Sequence, residues 1–339
     1  MMGPVDLAVG PDGNLWFTAE LSDNIGRITP SGRITMFDHP GVVNPRDITA
    51  GPDGALWFTN FGDRSIGRVS TTGEITMFRN GAMSGPYGIV TGPDGNLWFT
   101  AELSSRIYRL TPEGVFTAMH TAAHPAVREP KEIVVGPDGA LWFNNVVGAL
   151  GRITVDGVLS SFPGGGADTL AFDASGRIWM PPHGGSFCSC SLQRLTLPST
   201  LQTLRPTNGR GSHFVLGADG AMWHAGDQRE FVRNTTVVAT APLEVVANGE
   251  SHGVRDLIVG PDGNLWFTSN QRNLIGRLSF PSTLSGAVTD EVTGEPVADA
   301  WVAAVPTSGG CTNRATTRPG GPFRFSALAG GYLGQVAAP

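Results

Sequence analysis

One nine-residue segment limits what this chain can fold into. Gly-Pro-Asp-Gly-Asn-Leu-Trp-Phe-Thr occupies residues 10–18, returns with little change at 51–59, 92–100 and 260–268, and returns in altered form at 136–143, 173–179 and 217–223. The tryptophans at its centre (Trp16, Trp57, Trp98, Trp142, Trp179, Trp223 and Trp266) stand 37 to 44 residues apart. Self-similarity at a period near ~40 residues marks a stacked or circular repeat, in which no unit folds alone.

The local chemistry of one unit predicts four strands. Pro11 presets φ for a turn, Asp12 can close an Asx-type hydrogen bond, and Gly13 accepts the left-handed conformation that ends the turn. Apolar residues alternate on both sides of this corner, Val5, Leu7 and Val9 before it and Leu15 and Phe17 after it, with the period of a strand. Residues 25–29 supply a third strand, a Pro-Ser-Gly turn reverses the chain, and residues 33–37 supply a fourth. One small twisted sheet leaves both faces wet. Seven packed radially cover each other, so the expected fold is an all-β, seven-bladed β-propeller of four-stranded antiparallel blades. The recurring tryptophans are read as filler between blades, and the third-strand arginines (Arg27, Arg68, Arg109, Arg152 and Arg277) as structural.

Composition narrows the function classes. Among 339 residues 40% are hydrophobic and 15% charged, and the net charge is −6 without a basic stripe, which argues against nucleic acid as a partner. Lys131 is the only lysine. No apolar run approaches the ~20 residues needed to span a bilayer. The first residues carry neither a basic n-region nor an apolar core, so no signal peptide is visible. The first strand begins almost at Met1, and the seventh repeat leaves the pattern after its third strand. An N-terminus lacking its natural beginning is the expectation, and a three-stranded last blade the alternative.

The repeats diverge in the second half. Asn144-Asn145 follows Trp142-Phe143, Pro181-Pro182-His183 interrupts the strand of Trp179, and His224 stands where other blades carry Phe. Cys188, Cys190 and Cys311 make an odd set that could be free thiols or could form one disulfide, and Cys188-x-Cys190 lacks the second pair that a structural zinc site needs. From residue 282 the pattern changes to short strands with Gly-Ala-Val-Thr-Asp at 286–290, Glu-Pro-Val at 295–297, Phe-Arg-Phe at 323–325 and Gly-Tyr at 331–332. This stretch resembles the carboxypeptidase regulatory-like domain, a small transthyretin-like β-sandwich. The expected division is therefore 1–281 for the propeller and 282–339 for the sandwich.

The Gly-Pro-Asp-Gly-Asn-Leu-Trp-Phe-Thr segment, followed by Asn24-Ile25-Gly26-Arg27-Ile28-Thr29 and Ile34-Thr35-Met36-Phe37, closely resembles the virginiamycin B lyase (streptogramin B lyase) family of seven-bladed propellers. Members of that family open a cyclic depsipeptide at its ester by elimination: a base removes the proton α to the carbonyl while Mg²⁺ polarises the ester. The resemblance implies histidines eleven residues before the tryptophan in the last two blades and a glutamate three residues after the final tryptophan. Those slots hold Ser212, Arg255 and Ser269 in this chain. His213 and His252 lie nearby, and Glu250-Ser251-His252 keeps a Glu-x-His spacing, which makes His213, His252 and Glu250 the catalytic candidates.

The starts of the first strands and the ends of the second strands share one rim. The rim candidates are therefore Glu20, Glu102, His183, Asp227 and Asn270 with Asp47, Glu132 and Asp256, and His213 joins them there. His39, His120 and His124 are read as solvated surface residues. The expected function is an extracellular ligand-binding or recognition module in which the lyase site is not recognisably kept. It would be secreted or at the cell surface, monomeric, and would take a small-molecule, peptide or glycan ligand at a propeller mouth, with no cofactor required. The alternatives are an active Mg²⁺-dependent carbon–oxygen lyase and a surface spacer.

Overall fold

The computed structural model describes residues 2–119, 124–164, 169–180, 192–204, 212–217, 220–225, 230–233, 236–240, 254–270, 273–278, 281–287, 301–306, 313–316, 322–328 and 332–337. Its contacts divide the chain into residues 1–277 and residues 278–339.

The first unit is a propeller built from the repeat. In the first blade β1 (Pro4–Val9), β2 (Leu15–Ala19), β3 (Asn24–Ile28) and β4 (Ile34–Asp38) pair antiparallel in chain order. Five more four-stranded sheets follow the same order, within residues 45–79, 86–118, 130–162, 171–204 and 212–240. The last repeat forms a sheet of three strands, Asp256–Val259, Leu265–Ser269 and Leu274–Leu278. Six four-stranded blades thus replace the seven expected. The three-stranded last sheet is the alternative that the sequence offered, and the next strand, Pro281–Ala287, pairs with Pro322–Leu328 within the second unit.

Side chains join the three-stranded sheet to the first blade. Thr268 Oγ1 donates to the Val5 carbonyl at 2.6 Å, the Leu7 N–H donates to Asp256 at 2.9 Å, and the Gly3 N–H donates to Asn273 at 2.7 Å. The seam between last and first repeats therefore uses the same side chains as the other seams, described below.

The repeat residues now have roles. Asp12 Oδ1 accepts from the Trp16 indole N–H at 3.1 Å while Arg27 reaches Asp12 Oδ2 at 3.5 Å and lies over the Trp16 ring. The Asp–Trp–Arg clip recurs as Asp53, Trp57 and Arg68, as Asp94, Trp98 and Arg109, as Asp138, Trp142 and Arg152, and as Asp262, Trp266 and Arg277. Gly10 lies against the indole, where an added Cβ would stand 2.5 Å from Trp16, and Gly26 lies under Phe17. All five residues of β2 are buried, because each sheet is covered on both faces. Trp16 packs among Ile48, Leu56 and Phe58 of the next blade, and Trp266 among Leu7, Leu15 and Phe17 of the first, as expected of filler between blades. The strand of Trp179 spans Ile178–Met180 and stops before Pro181, as a missing N–H requires.

Two histidines depart from expectation. His39 and His124 do not simply face solvent: each accepts a backbone N–H two residues on, from Gly41 and Ala126, and so closes a linker turn. His120, Cys188, Cys190 and Cys311 lie outside the described residues. The second unit has one sheet of two strands and one of three, the latter ordered Asn313–Thr316, Trp301–Pro306, Tyr332–Ala337.

The threonine that ends the repeat segment ties neighbouring blades. Thr59 Oγ1 accepts from the Asp47 N–H at 3.0 Å and donates to the Tyr87 carbonyl of the next blade at 2.6 Å. Thr59→Val keeps the shape and leaves both backbone groups unpaired, which should lower stability by about 2 to 3 kcal/mol, since each buried orphan costs about 1 kcal/mol or more. Urea unfolding of the full chain checks this; an unchanged midpoint would show that the threonine is not a tie.

Candidate functional site

The first strand of a blade carries one residue more than its partner. Pro4 pairs with Ala19 and Leu7 with Phe17, and the same shift occurs between Pro45 and Ile48, Pro86 and Ile89, and Pro130 and Ile133. Such a β-bulge re-aims a side chain and leaves backbone groups outside the ladder. The position ten residues before each tryptophan holds Asp6, Asp47, Gly88, Glu132, Thr169, His213 and Asp256; it falls within the shift in the blades of Asp6, Asp47, Gly88, Glu132 and His213, whereas Asp256 pairs with Thr268 in regular register. Asp6, Asp47, Glu132, Thr169 and Asp256 line a central cavity of about 430 Å³.

These carboxyl groups are also inter-blade ties. Asp256 accepts the Leu7 N–H at 2.9 Å, Asp6 the Ile48 N–H at 2.8 Å, and Asp47 the Ile89 N–H at 2.7 Å. Each belongs to the blade before the one whose N–H it holds. Gly88 breaks the series for a steric reason: a Cβ there would stand 2.5 Å from the Lys131 carbonyl oxygen.

Crowding acid groups in a half-buried channel favours the protonated form. Burial and the neighbouring Asp47, Asp256 and Glu132 push the Asp6 carboxyl well above its ordinary range, and Asp6 and Asp47 share a hydrogen bond. Burial raises Asp47 to about 6, against the lowering influence of the bonds from Asp6 and the Ile89 N–H. In the turns the balance is opposite. Burial would raise Asp12, but hydrogen bonds from Asn14 and Trp16 outweigh it and hold the carboxylate below its usual range, and Asp53, Asp94, Asp138 and Asp262 behave alike.

Above the acid ring, residues eleven before the tryptophans form the mouth. Val5, Arg46, Tyr87 and Arg255 border a recess there together with Asp6, Asp47 and Glu132. Glu20, from the end of β2, meets Arg46 at 3.0 Å and accepts from Asn44 at 3.2 Å, so the end of one second strand touches the start of the next blade's first strand. Glu102 and Asn270 occupy the corresponding ends in the third and last blades. The structure therefore brings Asp47, Glu132 and Asp256 together in the channel, and places Glu20 in an inter-blade ion pair.

None of the catalytic candidates His213, His252 and Glu250 has its side chain among the described residues. His213 lies on the strand Ser212–Leu216, with its side chain outside the described set, and His183, Asp227, Glu250 and His252 lie outside it altogether. Ser269 is buried at 3% exposure, and its hydroxyl has no hydrogen-bond partner. Arg255 lines the mouth where a base would have to stand. Among the described residues no three carboxylate, histidine or cysteine side chains converge as a metal site. A hard cation needs several oxygen ligands, and a serine and a fixed positive charge at these slots do not fit the Mg²⁺ that the family resemblance implies.

Sequence reasoning missed Asp6 and the mouth residues Arg46, Tyr87 and Lys131. The signal was available in the spacing: Asp6, Asp47, Glu132 and Asp256 all stand ten residues before a blade tryptophan. Asp6 was hidden because the first strand was anchored on the apolar alternation of Val5, Leu7 and Val9, which the bulge interrupts.

Comparison with known proteins agrees with this architecture. A sequence model of the virginiamycin B lyase family matches residues 1–185, more than half of the chain. A comparison with curated protein sequences found no significant match. Among solved structures, a streptogramin B lyase is 26% identical with a TM-score of 0.69, covering 81% of this chain and 93% of that one. A selenomethionine-substituted virginiamycin B lyase from Staphylococcus aureus is also 26% identical with a TM-score of 0.69, covering 81% and 94%. The extracellular domain of the hybrid two-component system BT3049 from B. thetaiotaomicron shares the fold at 16% identity and a TM-score of 0.62, over 97% of this chain and 48% of that one. Among the described residues no helix is long and apolar enough to cross a membrane.

The two classes of carboxyl group set a pH profile. A carboxyl raised in the fold contributes stability that is full below its unfolded value near 3.8 and is lost as pH rises through its folded value, about 6 for Asp47, and Asp6 is raised in the same direction. The lowered turn aspartates contribute above 3.8 and lose their contribution in stronger acid. Stability should therefore peak in mild acid and fall toward neutral pH, Asp47 accounting for about 2 kcal/mol of the decline. Asp47→Asn keeps an acceptor for Ile89 and a donor for Asp6 without the charge, so its melting temperature should vary less between about pH 5 and pH 8. Thermal unfolding across that range tests the assignment, and a wild-type stability that climbs toward pH 8 would contradict it.

Proposed function

The chain belongs to the virginiamycin B lyase family, and from that premise we propose that it is a ligand-binding propeller in which the elimination chemistry of the family is lost. The observation that carries this reading is Arg255 at the mouth. Guanidinium stays protonated at any physiological pH, so it cannot accept the α-proton of an ester substrate. The other two family slots reinforce the point. Ser212 has no acid–base capacity near neutrality, and the buried hydroxyl of Ser269 stands where a glutamate is implied.

What remains is a polar mouth leading into a channel of about 430 Å³, within the size range of small-ligand sites. A bare spacer would need neither the channel nor the charged residues around it. The reading places the protein outside the cytoplasm, in line with the resemblance of its C-terminal strands to a module common on exported proteins.

Incubating the full chain with a streptogramin B depsipeptide, with and without Mg²⁺, and separating the products by chromatography and mass spectrometry tests the proposal. The expected outcome is unconverted substrate from a folded protein. A linear product of unchanged mass that disappears with a chelator would overturn the proposal and make His213, His252 and Glu250 the residues to mutate.

A further inference from the structure

The hydroxyl ties do not run all the way round the ring. Thr18, Thr59, Thr100 and Thr268 each stand two residues after a blade tryptophan and donate to the carbonyls of Arg46, Tyr87, Lys131 and Val5 in the next blade. The same slot holds Asn144, Pro181 and Ala225 in the fourth, fifth and sixth repeats. Proline and alanine side chains have no hydrogen-bonding atom. The Asn144 amide is fully buried, and neither its oxygen nor its nitrogen is paired. The three losses are consecutive. They fall on both flanks of the arc made by the fifth and sixth blades and on the seam within it.

Other features of the seam change in the same arc. The slot from which Asp256, Asp6 and Asp47 accept the next blade's N–H holds Thr169 in the fifth repeat and His213 in the sixth. Packing follows the same course. Trp57 shares a core with Ile89, Leu97, Phe99 and Tyr108 of the next blade, whereas among the described residues the buried partners of Trp179 are Phe214 and Met222. Seams held by fewer hydrogen bonds and less buried apolar surface part first, because local opening runs through the least stabilised part of a fold.

We infer that the fifth and sixth blades form an arc that opens, exposing its stretch of the channel wall, while the other five blades stay closed. Thr169, Leu170, Phe172, Phe214 and Val215 belong to this arc and line the central channel, so its displacement uncovers one side of that cavity. From the seventh blade round to the fourth every seam keeps its threonine, and those blades hold Asp256, Asp6, Asp47 and Glu132 in the channel wall. The opening thus leaves the acid side of the channel built. Its use as a way in for a ligand rests on the binding reading above, and the opening itself does not.

Amide hydrogen exchange of the full chain, read at the seven equivalent tryptophan backbone N–H groups, tests this. Each tryptophan lies on the second strand of its blade, between two paired neighbours, so the seven differ in their blades and not in their place in the ladder. The Trp179 and Trp223 amides should be protected about tenfold less than those of Trp16, Trp57 and Trp98, the effect of about one buried hydrogen bond. Asn144→Thr and Ala225→Thr in one chain restore two ties and should raise protection at Trp179 and Trp223 by about tenfold, with Trp57 unchanged. Equal protection at all seven would overturn the inference, and that comparison needs no variant to fold. A folded double variant that leaves Trp179 and Trp223 as they were, or that shifts all seven alike, would overturn it too. Exchange is read without a ligand, so its failure would leave the binding reading standing. Conversion of the depsipeptide would remove that reading and leave the opening arc.

Discussion

A bulge on the first strand of five blades turns backbone N–H groups out of the ladder at the place where blades crowd around the axis. A buried N–H without a partner costs as much as a lost hydrogen bond, so each of these must be taken up. The repeat supplies the partners from side chains. The N–H of Asp47 goes to Thr59 of its own blade, that of Ile48 to Asp6 of the preceding blade, and Thr59 then donates across the seam to the Tyr87 carbonyl. The segment that ends in Trp-Phe-Thr therefore packs each blade through its indole and fixes the seam through its hydroxyl. The two tasks fall on the same face of one strand, two residues apart.

The same requirement shapes the site. Carboxylates at the bulge are needed as acceptors, and the ring geometry gathers them at the axis, where they shift one another's protonation. The acid channel is a consequence of how the blades are tied. The residues one position earlier serve the seam as well: Val5, Arg46, Tyr87 and Lys131 each accept through the carbonyl from a threonine of the preceding blade, and the Arg46 side chain pairs with Glu20 of that blade. Asn144 shows the cost of departing within the tie itself. It replaces the threonine of the fourth blade, and both polar atoms of its amide are buried with no hydrogen-bond partner.

Much of the fold was legible because turn chemistry and alternation act locally. The Asp12 turn, the strand of Trp16 and the arginine on β3 could all be read from neighbouring residues, and the family resemblance followed from the same segment. The short last sheet was legible as an alternative, because the seventh repeat leaves the pattern after its third strand, while the expectation of seven four-stranded blades came from counting tryptophans alone. The rim was legible in part. Asp47, Glu132 and Asp256 were found by strand position, while Asp6 escaped because a one-residue bulge reverses which side chain faces the axis. The pairing of Glu20 with Arg46 joins two blades and could not be read from either one.

The account makes the seam between last and first repeats equivalent to the others, with Asp256 and Thr268 doing for Leu7 and Val5 what Asp6 and Thr18 do for Ile48 and Arg46. Amide hydrogen exchange of the full chain tests this most directly, because it reads the opening of each N–H separately. The Leu7 amide should exchange as slowly as those of Ile48 and Ile89. Fast exchange at Leu7 beside slow exchange at the other two would mean that the ring stands open at that seam, and that side-chain ties do not close it.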